Sequence, residues 1–68
     1  MIMPEWKIFY RDQLDHDRVF GSIPSREEAL RRAKDLRRQR AELYRIEGPD
    51  GSVLPKNEIM TWVSANWH

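Results

Sequence analysis

Pro24-Ser25-Arg26-Glu27-Glu28 is the segment that most restricts what this chain can fold into. Proline stops a preceding strand. Ser25 and Glu28 form a capping box, in which the serine oxygen accepts the Glu28 backbone N–H and the glutamate reaches back to the serine N–H. From Glu27 to about Ala41 there is no Gly, Pro or β-branched residue, and Ala29, Leu30, Ala33 and Leu36 recur at helical spacing. A helix is thereby fixed near the middle of the chain, with a narrow stripe built largely of alanine. Such a stripe fits close approach to a sheet, with most of the bulk supplied from the other side.

The flanks read as strands. Over Glu5 to Arg11, Trp6, Ile8 and Tyr10 point one way and Glu5, Lys7, Phe9 and Arg11 the other. Polar Asp12 to Asp17 is a turn, and Arg18 to Ile23 returns as the second strand of a hairpin. Beyond the helix, Leu43 to Glu47 alternates again, with Tyr44 and Ile46 on one side and Leu43, Arg45 and Glu47 on the other. Gly48-Pro49-Asp50-Gly51 fits a β-turn with proline at its second position, where φ is already set. Ser52 to Leu54 forms a short edge strand stopped by Pro55. Asn57 caps a final helix in which Ile59, Met60, Val63 and Trp67 share a face, with Trp62 on its flank.

The expected fold is therefore α+β, of order ββαββα: a small antiparallel or mixed sheet of three to four strands, one long helix on one face and a short C-terminal helix. If the long helix covers Trp6, Ile8, Tyr10, Tyr44 and Ile46, the other face presents Phe9, Phe20 and Leu43. The last helix, or a second copy of the chain, is expected to cover them.

Length and composition narrow the function classes. At 68 residues, 1–68 is one domain with a thin core, and its three Trp, two Tyr and two Phe supply much of the buried area. The absence of cysteine removes disulfides, thiol nucleophiles and cysteine-based zinc sites. The N-terminal residues lack a basic segment followed by a long apolar run, and no eighteen apolar residues follow one another, so a cytoplasmic protein without membrane partners is expected. Net charge is only +1, yet residues 26–40 hold seven basic and three acidic side chains while both flanks are acidic. The chain is dipolar rather than basic, which counts against a general polyanion binder.

Ser25-x-x-Glu28-Ala29-Leu30-x-x-Ala33, then Ala41-Glu42-Leu43-Tyr44-Arg45-Ile46 and Asp50-Gly51, resembles a family of short bacterial proteins of unknown function. In that family a Trp-containing hairpin precedes a helix of the form E-A-x-x-x-A, and a strand with a D-G turn closes the unit. The resemblance covers roughly residues 5–54, excludes the segment from Asn57 onward, and implies a fold without implying an activity.

Three groups of residues are candidates for function. Arg31-Arg32-x-Lys34-x-x-Arg37-Arg38-x-Arg40 is a basic helix suited to phosphates, but Glu27 and Glu28 stand four residues before Arg31 and Arg32, and Asp35 lies near Arg31 and Arg38. The surplus left for nucleic acid is Lys34, Arg37, Arg38 and Arg40. No RNA-recognition signature or zinc-finger spacing accompanies it. Asp15-His16-Asp17 has metal-ligating residue types but sits in a turn, where adjacent side chains seldom converge, so no metal and no cofactor are expected. Trp62 and Trp67 have the chemistry of interface anchors or of core. The reading adopted is a non-enzymatic domain that docks a protein partner or its own copy through Phe9, Phe20, Trp62 and Trp67. Nucleic-acid binding is the alternative.

Overall fold

The computed structural model describes residues 5–67, so residues 1–4, where the leader reading rests in part, and His68 lie outside it. Six elements follow in the expected order: β1 (Trp6–Arg11), β2 (Asp17–Ile23), α1 (Arg26–Arg38), β3 (Glu42–Glu47), β4 (Val53–Pro55) and α2 (Lys56–Ala65). The strands form one antiparallel sheet in the order β2-β1-β3-β4, giving an α+β fold. Ser25 caps α1, accepting the Glu28 N–H at 3.1 Å, while the Glu28 carboxylate turns to Arg31 and Arg32 instead of closing the box. Ala29, Leu30 and Ala33 are buried on the sheet as the alanine stripe requires.

Both helices lie on the same face of the sheet. One continuous core joins Ile8, Ile23, Leu43, Ile46 and Leu54 of the strands to Ala29, Leu30 and Ala33 of α1 and Ile59 and Val63 of α2. The expectation that α2 covers the reverse face is thus corrected: it packs beside α1, leaving that face open.

Two β-bulges cause the difference. Along β1 and β3 the register runs Phe9↔Arg45 and then Tyr10↔Leu43, so Tyr44 is an extra residue in β3. An inserted residue exchanges the faces of everything beyond it. Leu43 is therefore buried in the helix-covered core, and Tyr44 stands on the open side, where its hydroxyl donates to Asp17 Oδ1 at 3.1 Å and Arg11 lies over its ring. The second bulge lies between Trp6↔Ile23 and Ile8↔Phe20, where Ser22 has φ 62°. It turns Phe20 to the helix side, under the guanidinium of Arg32. Of Phe9, Phe20 and Leu43, only Phe9 remains on the open face, half-buried with Arg45 4.0 Å from its ring centre.

Three tight points shape the ends of elements. Pro55 pairs with Arg45 in β4 and is itself the N-cap of α2, so the chain passes from strand to helix without a loop. Asn57 consequently lies inside the first turn and is not the cap; its carbonyl accepts the Thr61 hydroxyl at 2.9 Å. At the end of α1, Arg40 donates its N–H to the Arg37 carbonyl and Ala41 to the Leu36 carbonyl, a Schellman closure that holds Arg40 at φ 67°. Gly48 lies against Trp6, and a Cβ there would stand 2.9 Å from its ring atoms.

Leu43→Ala is expected to cost about 2–5 kcal/mol in urea unfolding, the range for a truncated core leucine, whereas an outward-facing Leu43 would cost far less. Gly48→Ala is expected to lose about 1–3 kcal/mol through overpacking on Trp6. Arg40→Gly should gain up to about 1 kcal/mol by relieving a left-handed residue that carries a side chain.

Candidate functional site

Three surfaces carry the residues singled out from the sequence. The open sheet face is the first. Phe9 sits beneath Arg45, which pairs with Glu47, and Tyr44 is tied to Asp17, which also pairs with Arg11 at 3.4 Å. Burial, followed by the bond to Asp17, raises the Tyr44 pKa above the ordinary tyrosine value, so the phenol stays neutral and keeps donating. Rings and charges on this face answer one another, and its uncovered apolar surface is confined to Val19, Val53 and the rim of Phe9.

The second surface is the β2 edge. Every residue of β2 from Asp17 to Phe20 is exposed, Val19 by 55% on the open face and Phe20 by 38% on the helix side. The hairpin turn that positions this strand depends on Asp12. One carboxylate oxygen accepts the N–H groups of Leu14 and His16 at 2.9 and 3.0 Å, and the other accepts Arg18 Nε. Asp15, at φ 61°, and His16 are exposed around this turn. Among the described residues no group of three or more His, Asp or Glu is placed to hold a metal ion.

The third surface belongs to the helical layer, where residues considered separately in the sequence meet. Trp67 follows the end of α2 and is 47% exposed, with the Arg38 guanidinium 5.0 Å from its ring centre. Beside it, Arg37, Met60, Val63, Ser64 and Trp67 line an open hollow of about 370 Å³. On the other flank of α2, Glu27, Arg31, Lys34, Trp62 and Asn66 line another, and Lys34 Nζ donates to the Asn66 carbonyl at 3.3 Å. Arg31 takes Glu28 rather than the expected Glu27. Lys34 and Arg37 form no ion pair with any described residue. Arg40 is set apart by its left-handed turn and lines the hairpin loop with Arg11, Asp12, Asp15 and Glu42.

The residue missed in the sequence is Val19. Its alternation with Arg18 and Phe20 marks a strand but does not reveal that the strand is an edge. No family model, curated protein or solved structure matches the chain. No helix among the described residues is long and apolar enough to cross a membrane.

The bond from Arg18, followed by the backbone N–H groups, lowers the Asp12 pKa to about 2. A depressed carboxylate stabilises the fold fully above its unfolded value of about 3.9, and that contribution is lost as pH falls through the folded value. The hairpin loop should therefore loosen first as pH drops from about 4 toward about 2, seen as loss of amide protection at Leu14 and His16. Asp12→Asn should remove most of that dependence.

Proposed function

We propose that this chain is a small non-enzymatic interaction domain that pairs with a second copy of itself along the outer edge of β2. The observation that carries the reading is that residues 17–20 of β2 are exposed on both faces at an unpaired edge, in a stretch free of proline and lysine. The opposite edge, β4, is three residues long and ends in proline, which protects it. β2 is seven residues long and has no proline or lysine. Its bulge lies at the far end, beyond Phe20.

The register supports a symmetric pairing. The Asp12 N–H donates to the His16 carbonyl at 2.9 Å, making these two a hydrogen-bonded pair at the mouth of the hairpin. Antiparallel alternation then directs the amides of Arg18 and Phe20 toward β1 and those of Asp17, Val19 and Gly21 outward. A two-fold axis normal to the sheet through Val19 sets Val19 against its own copy and Asp17 against the partner's Gly21. Outward groups would then make about six N–H···O bonds. The same operation stacks Arg18 beside the partner's Phe20 and leaves both helical layers on one side of an eight-stranded sheet.

An interface of this size belongs to the weak class, so association is expected at about 10 µM to 1 mM. In sedimentation equilibrium the average mass should climb from 8.2 kDa toward twice that value. Val19→Lys should hold the chain monomeric with an unchanged far-ultraviolet spectrum, because substitutions at exposed sites usually cost within about 0.5 kcal/mol. A wild-type chain that stays monomeric throughout, or association that Val19→Lys leaves intact, would overturn the reading.

A further inference from the structure

The helical layer carries a second surface, independent of the β2 edge. Along α1, Arg31, Lys34 and Arg38 form a stripe at three- and four-residue spacing, which keeps them on one side of the helix about 5 Å apart per turn. Next to that stripe, α2 and the residues after it set Trp62 and Trp67, and the contacts bind the two rows together. Lys34 reaches the Asn66 carbonyl, Arg38 lies over Trp67, and Arg37 shares a hollow with Trp67, Met60 and Val63. The Lys34 bond is to a neutral carbonyl, and neither Lys34 nor Arg37 has a carboxylate partner among the described residues.

A row of cations set beside one exposed indole, Trp67, and one partly buried indole, Trp62, matches a polyanion that carries flat rings along its charges. An acidic peptide satisfies the cations but leaves the rings without a face to stack on. A duplex presents phosphates but hides its base faces. A single strand offers both. We infer that this end of the helical layer binds single-stranded nucleic acid, with Trp67 as the stacking platform and Lys34 and Arg37 as phosphate contacts. Trp62 bounds the site on its other flank, and Arg38 stiffens Trp67 from the side it already covers.

The test is a fluorescence-anisotropy titration of the full chain with a labelled oligothymidylate, run beside a duplex of equal length and a polyglutamate of similar charge. The oligothymidylate should bind at low salt and weaken steeply between about 50 and 200 mM salt. Lys34→Ala combined with Arg37→Ala should weaken binding and flatten the salt slope by about one to two. Trp67→Ala should lose about five-fold or more at every salt concentration, and Trp67→Phe should recover much of it, because stacking and not charge has been removed. Circular dichroism of each variant establishes that it is folded. Absence of oligothymidylate binding at low salt would overturn the proposal. So would equal affinity for duplex or polyglutamate, or indifference to Trp67→Ala, since each would leave charge as the sole attraction.

Discussion

One inserted residue in β3 decides how this small sheet can be covered. Side chains on a strand alternate with a period of two, so Leu43 and Ile46, three apart, cannot share a face on a regular strand. The bulge at Tyr44 puts them together, opposite Tyr10 and Ile8 of β1. With the second bulge near Ser22 doing the same for Phe20 and Ile23, nearly all the aliphatic bulk moves to one side. A chain of 68 residues has too little apolar surface to fill two cores, and gathering it into one is the arrangement that its length permits.

The two helices sharing that face follow from the same gathering. α1 lies across β1, β2 and β3 and α2 across β3 and β4, so a helix whose buried stripe is Ala29, Leu30 and Ala33 settles closely on the sheet while Ile59 and Val63 fill the remaining width. The reverse side keeps only Val19 and Val53 as aliphatic side chains. It is held by local pairs, Arg45 on Phe9 and Tyr44 with Asp17 and Arg11, that need no covering layer. A face whose rings are already capped by guanidinium groups has little left to offer a partner, which is why the β2 edge, and not this face, is the place where the sheet remains incomplete.

The order of elements, the serine cap, the alanine stripe and the Pro49-Asp50-Gly51 turn were legible in the sequence because each rests on neighbours within four residues. What escaped was any property set by pairing. A strict period of two puts Leu43 and Ile46 on opposite faces, and no local residue in Ala41-Glu42-Leu43-Tyr44-Arg45 marks the bulge that joins them. Asn57 is a good cap by composition, but the strand pairing of Pro55 with Arg45 starts the helix earlier. The candidate residues were legible as types and not as groups: Phe9 and Phe20 separate, Arg40 departs, and Lys34, Arg37 and Arg38 join Trp62 and Trp67, because those distances span elements far apart in sequence.

The charge asymmetry acquires meaning only with the layers in place. A net charge of +1 argues against attraction of a polyanion at long range, and screening over about 10 Å makes the whole-molecule sum less important than the local one. The acids Asp12, Asp15 and Asp17 lie on the hairpin, where Arg11, Arg18 and Arg40 stand near them. On α1, Glu28 draws in both Arg31 and Arg32, and beyond it no described carboxylate pairs with Lys34 or Arg37. The helices keep Glu27, Glu28, Asp35 and Glu58, yet none of these pairs with Lys34 or Arg37, so the two cations stand without a carboxylate partner among the described residues. A polyanion approaching that end meets local charge rather than the near-neutral average.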